Sequence, residues 1–181
     1  MLWEAILLGV IIGWLIKGRV KNLNNIELPG WPLIITAIVL QTIILADFHF
    51  FQGYLEPYSP YLYMLSFLLL LVFIIMQKLQ TGIILIGIGI LLNLVVITAN
   101  QGKMPVDTSR LPENVAAELA AGTMSPFHTV SDEKTNLSLL GDWIPVWYKD
   151  NRLLSIGDIL LALGVIIYIP DNMQKKYIPK H

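Results

Sequence analysis

Asn100-Gln101-Gly102-Lys103-Met104-Pro105-Val106-Asp107 opens a polar segment that continues through Gly141-Asp142-Trp143-Ile144-Pro145 and ends at Ser155-Ile156-Gly157-Asp158, where an apolar run begins. Most of the chain before this segment consists of long hydrocarbon stretches. Segment 100–158 is the only long part of the sequence with enough polar side chains for chemistry or for a specific contact. We therefore expect any functional site to lie within it.

The composition indicates that the solvent of this chain is a lipid bilayer. Of its 181 residues, 55% are hydrophobic and only 14% are charged, and the mean hydropathy is +0.66. Soluble domains are more polar than this. The net charge of -1 and the absence of a basic stripe argue against a nucleic-acid partner. The chain has no cysteine, which excludes disulfides, thiolate metal sites and a thiol nucleophile.

The apolar stretches predict membrane-spanning helices. A helix needs about 20 mostly apolar residues to cross the hydrocarbon core. Five stretches approach this length: 2–16, 31–48, 61–76, 81–99 and 153–169. We predict an all-α, polytopic membrane helix bundle of about five transmembrane helices, folded as a single domain over residues 1–181. The outward-facing, extracytoplasmic loop 100–152 is predicted to contain short interfacial helices.

The basic residues beside these spans predict the orientation. They follow the first span, occupy the turn after the third span and recur in the C-terminal tail: Lys17, Arg19, Lys21, Lys78, Lys175, Lys176 and Lys180. Cytoplasmic segments carry such an excess of Lys and Arg. The N-terminus and the loop 100–152 are then predicted outside, and the C-terminus in the cytoplasm.

Two short helices are predicted inside the loop. Pro112 and Gly122 bracket a run rich in alanine and glutamate, and they are typical start and stop residues of a helix. Thr129 and Asp132 have the spacing of a capping box, which predicts a second helix that ends before Gly141.

Asp142 and Asp158 are the candidate catalytic residues. If the loop folds back they meet at one depth at the outer boundary, where paired carboxylates can divide acid and base roles. A structural interpretation is also open for each of them. Ser155-Ile156-Gly157-Asp158 is a capping-box pattern that complements the helix dipole, and Gly141-Asp142 suits a turn.

Five further residues are candidate binding residues: Asn93, Asn100, Lys103, Asp107 and His128. Asn93 and Asn100 share one helix face, and a buried Asn in a membrane helix needs a partner, either another helix or a ligand. Lys103 and Asp107 flank a corner that proline stiffens. His128 suits either a proton shuttle or an ordinary hydrogen bond. No group has metal-ligand spacing, so neither a metal nor a cofactor is predicted.

Two resemblances extend this interpretation. The motifs around Asn100, Asp142 and Asp158, with the five-helix plan, resemble a family of small bacterial membrane proteins of unknown function. This resemblance covers essentially the whole chain and implies a multi-pass protein of the bacterial cytoplasmic (inner) membrane. The motifs at Asp142 and Asp158 are also similar to the last third of lipoprotein signal peptidases. That similarity implies a catalytic dyad of Asp142 and Asp158, with Asn100-Gln101-Gly102 in place of that family's Asn-x-Gly segment.

These observations leave two functions open, and they do not decide whether the chain is an enzyme. The sequence favours a polar site or docking surface in segment 100–158, at the outer membrane interface, that binds a partner protein or a lipid. The alternative is a membrane-embedded aspartyl-type hydrolase that acts on a lipid-linked or peptide substrate. A transporter is least consistent, because only Gln41 and Asn93 are strongly polar deep within the spans.

Overall fold

The computed structural model describes residues 2–51, 53–146 and 152–175. Its helices are α1 (Leu2–Leu15), α2 (Trp31–Phe50), α3 (Ser59–Ile75), α4 (Thr81–Ala99), α5 (Glu113–Ala120) and α6 (Ile156–Gln174). Four short strands lie between α4 and α6: β1 (Met104–Val106), β2 (His128–Val130), β3 (Ile144–Pro145) and β4 (Leu153–Leu154). Part of the predicted loop, 147–151, and the tail, 176–181, lie outside the described residues.

Three helices, α2, α4 and α6, are long and apolar enough to cross a membrane. The other two apolar helices are shorter, with 14 residues in α1 and 17 in α3. At 1.5 Å per residue, α1 is about 21 Å long, which is less than the roughly 30 Å of a hydrocarbon core. The prediction of a mostly helical chain with membrane-compatible helices is confirmed, and the number of five transmembrane helices stays a prediction.

The bundle has two chemically different ends. Helix α6 packs between α1 and α4, and α3 packs between α2 and α4. The described residues 100–146 and 152–155 cover the end where α4 stops and α6 starts, which we call the loop end. At the opposite end, called the lysine end, Lys78 and Lys175 line one small polar cavity together with Asn22.

Glycines set the approach of α4 to α6. Gly82 lies against Gly164 and Gly89 lies against Gly157, so each helix contributes two glycines seven residues apart to an antiparallel contact. A Cβ atom at Gly89 would lie 2.5 Å from the carbonyl oxygen of Gly157. Small residues at such positions let the backbones of membrane helices meet closely. This glycine seam holds the first turn of α6 against α4.

Short strands order the loop. β1 and β2 pair in parallel, with Met104 opposite His128 and Val106 opposite Val130. β3 and β4 pair in antiparallel fashion directly before α6. The all-α prediction omitted both pairs, because strands of two or three residues show too little alternation to be recognised in a sequence.

One of the two predicted loop helices is present. Helix α5 begins directly after Pro112, and Gly122 follows it with a φ of 70°, as a C-terminal stop requires. Val115 and Leu119 form its buried face, and the helix packs on β2. α5 therefore belongs to the folded loop.

The prediction of a second loop helix was wrong. Thr129 lies in β2, and Asp132 closes a turn instead of a capping box. The backbone N–H of Asp132 donates to Thr135 Oγ1 at 2.8 Å, and Asp132 Oδ1 accepts from the backbone N–H of Lys134 at 2.9 Å. Asp and Thr side chains can either cap the start of a helix or form local hydrogen bonds within a turn, and here they form a turn. Only a short 3₁₀ helix, Ser138–Leu140, is helical in this part of the loop.

An apolar cluster anchors the loop to the bundle. Its buried members are Val96 and Ile97 of α4 and Met104 of β1. Four partly buried side chains pack around them: Tyr63, Met64, Phe67 and Leu140. The ring of Tyr63 also stacks on Phe127, with 4.4 Å between the ring centroids. The start of the loop is therefore fixed against α3 and α4.

Candidate active site

Strand β1 organises the candidate site from its two edges. On one edge, β2 places His128 opposite Met104. On the other edge, the backbone N–H of Asp142 donates to Pro105 O at 2.8 Å, and the backbone N–H of Asp107 donates to Asp142 O at 2.9 Å. Because both neighbours bond to the same strand, the loop folds back and brings His128 and Asp142 together.

Glycines next to the two aspartates give room for this arrangement. A Cβ atom at Gly141 would lie 2.6 Å from Pro105 O, a distance that no side chain tolerates against backbone. A Cβ atom at Gly157 would collide with Oδ1 of Asn93. The Gly-Asp pairs at 141–142 and 157–158 thus have a packing function beyond a turn or a helix start.

Asp158 is held by a buried network of polar side chains. The Ser155 hydroxyl caps α6 by accepting from the backbone N–H of Asp158 at 3.0 Å, as the capping-box pattern predicts. The same hydroxyl donates to Asn93 Oδ1 at 2.9 Å, and Asn93 Nδ2 donates to Asp158 Oδ1 at 3.0 Å. Ser155 and Asn93 are 0% and 2% exposed. Asn93 therefore finds the partners that its burial requires, and it orients the carboxyl group of Asp158.

Asp142 and Asp158 line one cavity of about 430 Å³ at the loop end. The other polar groups of its lining are Ser125, His128 and Arg152. The rest of the lining is apolar and comes from the loop, from α1 and from α6. It includes Leu2, Leu119, Met124, Leu154 and Leu161. The site is thus a small group of ionisable side chains inside a mostly hydrocarbon cavity.

The carboxyl group of Asp142 is buried without a complete set of partners. Its side chain is 10% exposed, and none of the described residues donates a hydrogen bond to its Oδ1. Burial and, secondly, the charge of Asp158 raise the pKa of Asp142 to about 8. Asp142 is therefore mostly protonated at neutral pH.

His128 connects Asp142 with Ser125. Its Nε2 lies 3.7 Å from Asp142 Oδ2, and its Nδ1 lies 2.8 Å from Ser125 Oγ. Burial and then the nearby Arg152 lower the pKa of His128 to about 4. At pH 7 the contact between His128 and Asp142 therefore joins two neutral groups and is not an ion pair.

Of the five predicted binding residues, only His128 is in the cavity lining: Asn93 acts through Asp158, and Asn100, Lys103 and Asp107 lie elsewhere in the loop region. Asn100 Nδ2 donates to Asn136 O at 2.8 Å, and Asn136 N donates to Asn100 Oδ1 at 3.0 Å, which closes the end of α4. Asp107 caps the 3₁₀ turn after β1, and the hydrogen bond from the Ser109 hydroxyl is the main cause of its lowered pKa. Lys103 is partly buried directly before β1.

Sequence reasoning missed two members of the cavity, Ser125 and Arg152. Arg152 stands three residues before the Ser155 cap. Ser125 stands three residues before His128, which is a spacing that side chains in a turn can bridge. Within the described residues, no three His, Cys, Asp or Glu side chains are grouped as a metal ion requires.

Comparisons with known proteins show the family of this chain. Residues 25–170 match the model of DUF5317, a family of unknown function. An uncharacterised protein of Thermotoga maritima is 30% identical over 170 residues, which cover 93% of this chain and 89% of that protein. No solved structure matches the chain. The predicted resemblance to a family of unknown function is confirmed, while the similarity to lipoprotein signal peptidases is not shown. The chain belongs to DUF5317.

Proposed function

We propose that this DUF5317 protein is a membrane-embedded aspartyl-type hydrolase in which Asp142 and Asp158 are the catalytic pair. The observation that supports this best is their shared cavity, in which the pKa of Asp142 is raised to about 8. Two acids with different hydrogen-bond partners in one cavity can act as a general acid and a general base at the same pH. The loop end of the bundle is therefore the proposed reaction site.

The hydrogen bonds support a different role for each carboxyl group. Asn93 donates to Asp158, and Asp158 lies in the first turn of α6, where the helix dipole favours negative charge. Hydrogen bonds to a carboxylate favour its charged form. No described residue donates a hydrogen bond to Oδ1 of Asp142, and Asp142 has the raised pKa. Asp158 is then the general base, and protonated Asp142 is the general acid.

The proposed reaction on a peptide carbonyl is balanced within the pair. Asp158 takes a proton from water while the water oxygen attacks the carbonyl carbon, and Asp142 gives its proton to the carbonyl oxygen. The tetrahedral intermediate then loses the amine as the C–N bond breaks, and the amine takes the proton held by Asp158. Asp142 recovers its proton from the hydroxyl group that becomes the product carbonyl. Both acids return to their starting states.

The surroundings of the pair favour an apolar substrate. Apolar side chains from α1, α6 and the loop form most of the cavity wall, which suits a lipid-linked substrate or a membrane peptide. We assign the loop end to the outer face of the bacterial cytoplasmic membrane, with the N-terminus outside and the C-terminus in the cytoplasm. The basic residues near the lysine end, including Lys17, Lys78 and Lys175, support this orientation.

The second candidate function is binding without turnover. The apolar share of the cavity wall also suits a lipid tail or the helix of a membrane protein partner. In that case Asp142 and Asp158 only fix the orientation of the bound molecule, and nothing is hydrolysed.

Incorporation of heavy oxygen tests the hydrolase directly. Purified protein is reconstituted in vesicles of bacterial membrane lipid, mixed with a bacterial membrane extract in H₂¹⁸O and compared by mass spectrometry with Asp142→Asn and Asp158→Asn. We expect ¹⁸O-labelled products with the wild type and a loss of at least about a hundredfold in each variant, the usual contribution of an acid–base group.

The matched control is Asp107→Asn, which changes an aspartate of the same loop outside the cavity lining. It should leave the labelled products unchanged. If wild type, Asp142→Asn and Asp158→Asn give the same labelled products while all are folded, the hydrolase is excluded. Retention of a specific lipid or peptide by the wild type would then support the binding function.

A further inference from the structure

Ser125 and His128 form a continuous line of side chains with Asp142. Neither Ser125 nor His128 has a role in the proposed acid–base reaction. His128 bridges the other two through its opposite ring nitrogens, at 2.8 Å to Ser125 Oγ and 3.7 Å to Asp142 Oδ2. All three residues line the same cavity. The tautomer of a neutral imidazole is set by the hydrogen bond at one ring nitrogen, and it determines what the other nitrogen offers to the carboxyl group.

The contacts of Ser125 relate the hydroxyl group to the tautomer of His128. The backbone N–H of Phe127 donates to Ser125 Oγ at 3.2 Å. Among the described residues, the Nδ1 atom of His128 is the other hydrogen-bond partner of this hydroxyl group, and the direction of that bond follows the ring tautomer. If the hydroxyl group accepts from Phe127 and donates to His128 Nδ1, the proton of the neutral ring is on Nε2, which faces Asp142.

We propose that His128, fixed by Ser125, is a positioning residue that donates from Nε2 to Oδ2 of Asp142 and keeps the acid proton on Oδ1. This inference rests on the proposed function for its effect on catalysis, but the hydrogen bond itself does not. The separation of 3.7 Å is longer than a formed hydrogen bond, and such contacts commonly tighten when a substrate is bound. Oδ1, to which no residue within the described ranges donates, then becomes the donating oxygen of the acid.

The same line of residues resembles a serine nucleophile with its base, and the structure disfavours that role. In such an enzyme the aspartate stabilises the imidazolium that forms. Asp142 is mostly protonated at neutral pH, so it carries no charge to do this. Ser125 is moreover part of a local turn through the Phe127 amide.

The tautomer is measured first, because it needs no substrate. The ¹⁵N chemical shifts of the histidine rings are recorded at pH 7, and His128 is assigned among the three histidines by comparison with His128→Asn. We expect a neutral ring with the proton on Nε2 in the wild type. Ser125→Ala should lose this preference, and the control Ser131→Ala, which changes a residue that meets β1 through its backbone N–H, should keep it. A proton on Nδ1, or a charged ring, overturns the proposal.

Two substitutions of His128 then separate positioning from mere packing. The amide nitrogen of Gln can take the place of Nε2, whereas Asn reaches only the position of Nδ1. His128→Gln should therefore retain most of the hydrolysis, and His128→Asn should lower kcat about tenfold at unchanged KM, as expected for one lost hydrogen bond. Equal activities of the two variants contradict the proposal.

Two other results are informative about the mechanism. Complete loss of hydrolysis in Ser125→Ala, with labelling of Ser125 by a fluorophosphonate, overturns the positioning role in favour of a serine nucleophile. A wild type with the Nε2 proton but without any hydrolysis refutes the proposed function and still supports the hydrogen bond between His128 and Asp142.

Discussion

The two ends of the α4–α6 pair use similar residues for different purposes. At the lysine end, Asn172 Nδ2 donates to Gln80 Oε1 at 3.2 Å, and Lys175 Nζ donates to Gln80 Oε1 at 2.9 Å and to Asn172 Oδ1 at 2.8 Å. At the loop end, Asn93 also joins the two helices through side-chain hydrogen bonds. The glycine seam separates the two networks.

The difference lies in what the networks leave without a partner. The lysine-end network joins amides and a cation, and it surrounds a cavity of only about 140 Å³. The loop-end network places Asp158 in the lining of a cavity of about 430 Å³, which Asp142 also lines. Within the part of the chain that the structure describes, Oδ1 of Asp142 has no hydrogen-bond donor, and the pKa of Asp142 is raised. Polar residues in apolar helices are commonly helix–helix contacts. A titratable group with a shifted pKa in a cavity, as at the loop end, is the feature typical of a functional site.

The largest effect is expected where the seam meets the loop-end network. Gly157→Val forces a branched side chain into Oδ1 of Asn93 and the backbone of Gly89. We expect at least about 3 kcal/mol of destabilisation and loss of hydrolysis, because overpacking moves both helices. Thermal unfolding in detergent measures this. Gly9→Ala, where the nearest atom is 3.2 Å away, is the milder control in the α1–α6 contact. Equal melting temperatures of the two variants would show that the seam is not tight.

Changing the pH should affect the loop end specifically. The pKa of Asp142 is about 8 in the folded protein and 3.8 in the free group, so the folded state binds the proton more tightly. This stabilisation is complete below pH 3.8 and is lost as the pH rises through 8. Between pH 5 and pH 8, the wild type should lose ~3 kcal/mol relative to Asp142→Asn.

Unfolding of both proteins at the two pH values tests this expectation. The titration of His128 is present in both and largely cancels in the comparison, although its lowered pKa by itself removes stability as the pH falls from 6.5 towards 4. A constant difference between wild type and Asp142→Asn across this range would mean that Asp142 is ionised throughout.

Replacing the central amide of each network should sharpen the comparison. Asn93→Leu removes the acceptor of Ser155 and the donor to Asp158, which should cost about 1–3 kcal/mol and abolish hydrolysis. Asn172→Leu should cost less, because Gln80 keeps its contact with Lys175, and hydrolysis should continue. Melting temperature and ¹⁸O incorporation are measured on the same samples. Loss of hydrolysis in Asn172→Leu at full stability would give the lysine end a function too.

The smallest effect is expected at the end of α4, outside both networks. Asn136→Ala removes the side-chain hydrogen bond to Ala99 O while leaving the backbone contacts with Asn100 in place. We expect about 1 kcal/mol of destabilisation or less, and no change in hydrolysis. A selective loss of hydrolysis would return Asn100 and its neighbours to the candidate binding residues.

The apolar helices and α5 were predictable because each has a direct signal. The spans follow from long hydrocarbon runs, and α5 follows from Pro112 and Gly122. Thr129 and Asp132 misled because their hydrogen-bonding groups serve turns as well as helix starts. The capping role of Ser155 was visible in its spacing from Asp158, and the partnership with Asn93 was not, since 62 residues separate Ser155 from Asn93.

The meeting of His128 and Asp142 depends on β1, and no periodic pattern marks a strand of three residues. Arg152 and Ser125 were missed for a related reason. Neither belongs to a motif, and only the folded loop turns them into one cavity with the aspartates. What the sequence showed was the chemistry of individual residues, and what it lacked was their long-range pairing.

The buried network around Asp158 has a consequence for the biosynthesis of the protein. Asn93 leaves the ribosome 62 residues before Ser155 and 65 residues before Asp158. The side chain of Asn93 in α4 therefore lacks both of these hydrogen-bond partners until α6 is synthesised. Synthesis runs from the N-terminus, and early segments fold before late ones exist. A nascent chain that has exposed only α1 to α4 and the loop therefore lacks the base of the proposed pair. Hydrolytic activity would arise in a single late step, when α6 packs against the glycines of α4. Chains that end before α6 would have no hydrolytic activity.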